Sequence, residues 1–379
     1  MQLSYWEQQS YFEGIDLLII GGGIVGLNAA LAVKELRPEL KVLVIDRGAF
    51  LPYGASTRNA GFACFGSMSE LIDDLQRNSF DEVFSLVQRR YEGLQRLRSL
   101  LKDVDIQYEE NGGFEVFRDE EEDLYNNGRS RIEEFNAELE RRTGRRNIYS
   151  EASSKITDFG FGGVGKMILN SGEGQLDTGA MMKGLLHLVR SKNIEVLTGI
   201  EVRGWSTKAG LLEIATGNGF SISTAKMLIT TNGFARQLLP DLEVEPGRAQ
   251  VLITKPVDHL KFKGTFHYDK GYYYFRNVGN RVLFGGGRNL NFEAERTWDF
   301  DLTRQVQERL EELLSQMILP GQPFEIDQRW SGIMGLGPTK SAIIREAEPH
   351  VFCAVRMGGM GVAIGSLVGR EVAELICRS

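Results

Sequence analysis

Three observations predict an α/β fold joined to a second, α+β domain. Short apolar runs suited to buried strands alternate with helical segments, starting at Ile15. Two glycine-rich turns lead directly into helices, one near each end of the chain. Between them, segments of alternating polarity read as strands of a second, mixed or antiparallel sheet.

The first turn carries the most information. Ile15 to Ile20 suits a buried parallel strand, and Gly21, Gly23 and Gly26 follow in G-x-G-x-x-G spacing. A helix is expected from Gly23 to Leu36, then a second strand from Lys41 that ends at Asp46, twenty residues after Gly26. Gly21 permits the tight turn, Gly23 admits a pyrophosphate to the backbone, and Gly26 lets helix and strand lie close. The helix N-terminus offers unpaired N–H groups to an anion, and an acid at the end of the second strand accepts ribose hydroxyls. The element therefore indicates an adenine dinucleotide and leaves FAD and NAD open.

Bulk properties narrow the class. The 379 residues suffice for two domains, and 42% hydrophobic content supports sizeable cores. A net charge of −7 argues against a nucleic-acid surface. Three scattered cysteines and four histidines predict reduced thiols and no metal site. No signal peptide or membrane span is read, so a cytoplasmic location is expected, with peripheral membrane attachment left open.

The remaining elements follow from local pattern. The leader is expected to pack through Tyr5, Trp6, Tyr11 and Phe12. The loop from 51 to 67 is dense in small residues. Helices are expected over 68–76 and along the stripe Phe84, Val87, Tyr91, Leu94, Leu97 and Leu101. Residues 106–117 read as a hairpin around Asn111-Gly112-Gly113, and 119–143 as one helix with acids first, arginines last and Gly144 at its end. A glycine-rich connection is expected over 159–174 and a helix over 177–191 capped by Asp177. Short strands are read within 195–231, and second-sheet strands over 248–255, 266–275 and 281–287. A helix over 302–318, a strand over 352–355, the turn Gly358 to Gly361 and a final helix complete the chain.

The second glycine turn favours a flavin. A helix N-terminus aimed at a reduced flavin ring stabilises the negative charge that gathers near N1 and the C2 carbonyl. The segments GGGIVGLNAALAVKEL, VLVIDR, GASTRNAGF, TTNGFARQLLP, RVLFGGGRN, QRWSGIMGLGP and GGMGVAIGSLVGREVAEL appear in an order that resembles the D-amino-acid oxidase superfamily of FAD-dependent oxidoreductases. This is the group of glycine, sarcosine and γ-glutamylputrescine oxidases. The resemblance implies a discontinuous Rossmann-like FAD-binding domain (1–79, 146–236 and 328–379) interleaved with a substrate-binding domain (80–145 and 237–327).

It also implies contacts. Gly21, Gly23, Ile24, Val25 and Gly26 surround the pyrophosphate, Asp46 takes the ribose, and Arg47 lies over the adenine that Val202 meets through its backbone. Ser56, Thr57, Arg58, Asn59, Ala60 and Gly61 pass the pyrophosphate and the ring. Thr231, Asn232, Gly233 and Gly332 belong to the same cofactor set, and Gly358, Gly359, Met360, Gly361 and Val362 face the flavin carbonyl. Members that attach FAD covalently use a Cys in the region matching 330–336 or a His near the first loop. Neither is present, so noncovalent FAD is expected. The oxygen-activating Lys of sarcosine oxidases and the carboxylate-binding Arg of D-amino-acid oxidases are also missing; Ile333 and Met334 stand at the latter place.

Catalytic candidates are Arg58, Arg356, Tyr272 and Tyr274, with Arg288 and Lys340 as weaker ones and His267 read as structural. For Arg356 the alternatives are anion binding or a position behind the strand. The activity implied is oxidation of an amine or amino acid C–N bond by hydride transfer, followed by imine hydrolysis, with oxygen or another acceptor taking the electrons. A 2-hydroxyacid dehydrogenase of the L-2-hydroxyglutarate type and a non-catalytic flavin-binding subunit or sensor are the alternatives.

Overall fold

The computed structural model describes residues 2–379. Ile15–Ile20 is flanked by Val42–Asp46 and Ser221–Ile229, all parallel. Glu195–Thr198 extends one side and Val351–Val355 the other, again parallel, and Ile343–Glu348 closes the edge antiparallel. These central strands are buried on both faces, which explains their continuous Ile, Leu and Val runs. Val202–Lys208 and Leu211–Thr216 form an antiparallel meander on Ser221–Ile229. The local pattern suggests two short strands here, 221–223 and 227–231, yet Ser221–Ile229 runs unbroken because one end pairs in the meander and the other in the parallel sheet.

Helix Ile24–Leu36 lies against the C-terminal helix Gly361–Arg378. A Cβ on Gly365 would come 2.8 Å from Ile24 Cγ2, and one on Gly369 would come 2.7 Å from Asn28 Cβ. The long helix Phe80–Leu101 packs on the same C-terminal helix through Gly93, whose missing Cβ would fall 2.3 Å from Ala363 O. Its expected stripe is buried except for Tyr91, which is half-buried.

The second sheet is mixed. Its order is Ile326–Leu336, Glu245–Thr254, Arg281–Gly286, Tyr273–Val278, Thr265–Tyr268, Gly113–Arg118, Val164–Asn170 and Tyr149–Glu151. Only the Thr265–Tyr268 and Gly113–Arg118 pair is parallel. Phe275, Phe266 and Phe114 stack across neighbouring strands at 4.7 and 5.1 Å, beneath Arg304–Leu313 and the turn Leu314–Ile318.

Several expectations are corrected. The hairpin over 106–117 does not form: Gly113–Arg118 pairs with Val164–Asn170 instead, and Glu109 makes only one isolated bridge, to Gln175. The glycine-rich connection over 159–174 therefore contains an internal strand. The helix over 119–143 is interrupted at Arg131 into Glu122–Ser130 and Ile132–Thr143; its end at Gly144 has the expected left-handed conformation, φ 73°. Among the described residues of the leader only Phe12 is buried, while Tyr5, Trp6 and Tyr11 are exposed. Strands 149–151, 164–170 and 326–336 belong by hydrogen bonding to the second sheet, although the expected division assigns nearly all of them to the cofactor side. No described helix is long and apolar enough to cross a membrane.

Candidate active site

A cavity of about 840 Å³ lies between the two sheets. One wall is the C-terminal edge of the parallel strands, represented by Gly21, Asp46 and Thr230; the other includes Ala249, Val251, Tyr274, Gly286 and Gly332 of the second sheet. Crevices outside the carboxyl ends of parallel strands are the usual ligand sites of α/β sheets.

The first glycine turn enters this cavity. Gly21 has φ 111°, and a Cβ there would meet Thr230 Oγ1 at 2.9 Å. Thr230 Oγ1 lies 3.0 Å from Ile20 O and 2.9 Å from Gly21 O, pinning the end of the strand. The N–H of Ile24, in the first helical turn, donates to Ser56 Oγ at 2.9 Å. Asp46 accepts from the N–H groups of Gly22, Gly48 and Tyr53 at 2.9, 2.8 and 3.1 Å. It thereby holds the glycine turn and the following loop in one register.

The second turn reaches the same cavity. Gly358 and Gly359 have φ 59° and 84°, and Met360 precedes the helix. Asn232, itself at φ 47°, accepts the N–H groups of Arg356 and Met357 through Oδ1 at 3.0 and 3.2 Å. Asn232 thus fixes the turn from the end of a different strand, a role its place in TTNGFARQLLP did not reveal.

Most of the expected cofactor residues line the cavity: Gly21, Gly23, Ile24, Val25, Asp46, Arg47, Ser56, Arg58, Asn59, Ala60, Val202, Thr231, Asn232, Gly332, Gly358, Gly359, Met360, Gly361 and Val362. Five expected residues are not on the lining. Gly26 sits behind it, where a Cβ would be 2.0 Å from Gly21 O. Gly233 and Gly61 likewise serve backbone packing, against Met334 O and Leu176 O. Thr57 donates its hydroxyl to backbone carbonyls of its own loop, at 3.2 Å from both Pro52 O and Gly54 O.

The fifth is Arg356. Its guanidinium donates to Ser341 O at 2.9 Å, Glu243 O at 3.1 Å and Thr339 Oγ1 at 3.0 Å. It lies behind the strand and ties the 339–341 loop to the turn, which corrects the reading of Arg356 as a catalytic candidate. Tyr274 lines the cavity while its strand neighbour Tyr273 is buried in the opposite core, as strand alternation requires; Tyr272, in the turn before the strand, touches both the cavity and that core. Arg58 donates through Nε to Ser331 O, and its guanidinium lies 5.0 Å from the ring centres of both Tyr53 and Phe300.

The lining also places Lys340, one of the weaker candidates, in a charged cluster with Glu70 and Asp74 that the motifs did not predict. Lys340 Nζ lies 2.8 Å from Glu70 Oε1 and 2.8 Å from Asp74 Oδ1. Burial pushes the Glu70 carboxyl up, but Lys340 and Arg90 outweigh it and hold the group down at about 2. Nearby, His267 lies between the Cys64 thiol and Glu173, with its Nε2 3.6 Å from Glu173 Oε2. The helical pattern of 68–74 could locate Glu70 and Asp74 on one face, but not their pairing with a loop some 270 residues later.

The cavity fits FAD. It joins two helix N-termini through backbone kept bare of Cβ atoms. Among the described residues, Thr231 Oγ1 is buried on its wall without a hydrogen-bond partner. The family model described as FAD-dependent oxidoreductase (DAO) matches residues 16–375. The chain belongs to this family. It is an FAD-dependent oxidoreductase.

Among curated relatives, γ-glutamylputrescine oxidoreductase of Escherichia coli K12 is 25% identical over 95% of this chain and 83% of its own length. The probable oxidoreductase OrdL of Haemophilus influenzae is 22% identical over 96% of this chain and 83% of its own. The oxidoreductase also shares its fold with L-proline dehydrogenase from P. horikoshii (TM-score 0.76, 18% identity, 97% of this chain and 94% of that one). Glycine oxidase from Geobacillus kaustophilus is similar to the same degree (TM-score 0.74, 19% identity, 96% and 95%).

Proposed function

We propose that this flavoenzyme oxidises the C–N bond of an amine or amino acid, giving an imine that water hydrolyses. The observation that carries the reading is the single cavity shared by the two glycine turns. Tyr272 and Tyr274 line the same cavity as the second turn, where a small substrate would sit against the ring. Relatives named for γ-glutamylputrescine, L-proline and glycine support it.

In this reading FAD is held noncovalently. Gly21, Gly23, Ile24, Val25 and Ser56 meet the pyrophosphate, Asp46 the ribose, and Arg47 and Val202 the adenine. Arg58, Asn59, Ala60, Asn232, Gly332 and Gly358 to Val362 surround the ring, and Thr231 supplies a hydroxyl. FAD supplies the hydride acceptor. The protein's part is to orient the substrate carbon, exclude water with Tyr274 and the cavity-lining Phe62, whose ring meets it edge-on at 5.5 Å, and present the positive end of the final helix where negative charge gathers. In this reading strands 149–151, 164–170 and 326–336 are assigned to the substrate side, a division supported by their hydrogen bonding into the second sheet. Oxygen or another acceptor reoxidises the enzyme, and the cytoplasm is its proposed location.

The test is an anaerobic screen of the purified yellow protein against amino acids, N-methyl amino acids, polyamine derivatives and 2-hydroxyacids. Bleaching by an amine with release of ammonia or a smaller amine is expected. Bleaching by hydroxyacids alone, or by nothing, overturns the reading.

A further inference from the structure

We propose that Arg276 is a fixed positive charge set behind the cavity wall, and that it raises the electron affinity of the bound flavin by favouring the negatively charged reduced form. The inference rests on the placement of the flavin ring against Asn59 and Ala60 given above, and it is independent of which substrate is oxidised.

Four arginines among the described residues are buried: Arg90, Arg248, Arg276 and Arg356. Three have a carboxylate close by. Arg90 lies 3.7 Å from Glu70, Arg248 2.7 Å from Glu295 and Arg356 3.8 Å from Glu243. Arg276 forms no ion pair among the described residues. Its guanidinium donates one hydrogen bond, to Leu176 O at 3.0 Å, and its Nε is buried without a partner. The acids that influence it are occupied: Asp177 accepts the N–H of Ala180 at 2.7 Å, and Glu109 accepts from Asn111 and Gln175 at 2.8 and 2.9 Å. Burial pulls the proton affinity of Arg276 down to about 10, which leaves it charged near neutral pH.

The fold brings this charge to the cavity from behind. Arg276 and Tyr274 are two apart on strand Tyr273–Val278 and so share the face turned to the cavity. Tyr274 reaches the lining, whereas Arg276 is covered by Gly61. A Cβ on Gly61 would fall 2.8 Å from Arg276 Nη2, so the bare backbone lets the cation rest between Ala60 and Phe62, both of which line the cavity. Gly61 is held there by its N–H, which donates to Asn59 Oδ1 at 2.8 Å, and by its carbonyl, which accepts from Leu176 N–H at 2.9 Å. A single residue's thickness of backbone thus separates an unpaired guanidinium from the cavity. Buried charges are screened far less than exposed ones, so its field carries across that thickness. A buried cation without a counter-charge costs free energy, and negative charge gathering on the flavin offsets that cost.

The experiment compares the native holoenzyme with Arg276→Met, Arg276→Gln and Arg276→Lys through two readouts that need no substrate. One is the two-electron midpoint potential of the flavin, measured by anaerobic equilibration with a reference dye. The other is titration with sulfite, whose adduct places negative charge on the flavin as reduction does; where the native enzyme forms no adduct, the potential alone decides. The Met and Gln variants should favour the reduced form roughly tenfold less, a potential about 30 mV lower, and bind sulfite weaker by a similar factor at native FAD content. Arg276→Lys should stay close to native. Native potentials in the neutral variants overturn the proposal. So does an Arg276→Lys potential as low as theirs, because that variant keeps the charge and gives up only the packing. Arg276→Met guards against a folding failure, since an apolar side chain in place of a buried ion is often neutral or stabilising. Ala60→Val tests the ring placement separately: it should shift the flavin absorption bands, and an unshifted spectrum faults the placement and the proposal with it. A shifted spectrum there, with the Arg276 variants at native potential, rejects the cation alone. The amine reading stands on the bleaching screen and is touched by neither result.

Discussion

Replacing Gly26 by Ala should separate two kinds of glycine in this site. The added Cβ would lie 2.0 Å from Gly21 O and 2.7 Å from Thr230 Oγ1. Ordinary van der Waals contact begins near 3.4 Å, so the clash with Gly21 O is about 1.4 Å too deep. The opposing atom is a backbone carbonyl at the end of a central strand, held by Thr230, and cannot swing aside as a side-chain tip would. Relief requires moving helix Ile24–Leu36, which is itself packed on Gly365 and Gly369. Overpacking of this kind costs about 3 kcal/mol. It also displaces the N–H groups of the first helical turn from the cavity. Gly54 provides the control: it lines the same cavity, but its φ of −179° is ordinary extended backbone and nothing lies within 4 Å of its added Cβ. Thermal unfolding with FAD content measured on each purified variant is the assay. Gly26→Ala should lose several degrees of Tm and most of its flavin, and Gly54→Ala should match the native enzyme. Native Tm and flavin content in Gly26→Ala would refute the packing argument.

Asp46→Asn should weaken FAD binding at least about tenfold, because an amide cannot accept from Gly22 on one side and from Gly48 and Tyr53 on the other, and a stranded N–H costs ~1–3 kcal/mol; equilibrium titration of apoenzyme with FAD checks it. Arg356→Ala should cost about 3 kcal/mol of stability through its three lost hydrogen bonds, yet leave the substrate KM of the surviving holoenzyme unchanged; a raised KM with native stability would restore a substrate role. The Glu70 carboxyl, held down at about 2 against an ordinary value of 4.5, contributes stability that is present above pH 4.5 and lost as pH falls through about 2. Lys340→Met removes the larger opposing charge, so acid unfolding followed by fluorescence should begin at higher pH than in the native enzyme, and an unmoved transition would count against the ion pair.

By itself the sequence determined the elements whose constraints are local. The first glycine turn was legible because Gly21 needs its positive φ, and Gly23 and Gly26 their missing Cβ atoms, within a few residues of one another. The buried strands, the Asp177 cap and the left-handed end at Gly144 were readable for the same reason. Pairing across the second sheet was not. Gly113–Arg118 carries the alternation of a hairpin strand, but its partners are 50 to 150 residues away, and only the assembled sheet selects them. Charged side chains were harder still. Arg356 and Arg288 look alike in the chain, each beside a run of glycines. Tertiary packing surrounds one with three acceptors behind the strand and leaves the other facing the cavity without an anion, because a guanidinium's role depends on which backbone carbonyls fold within its reach.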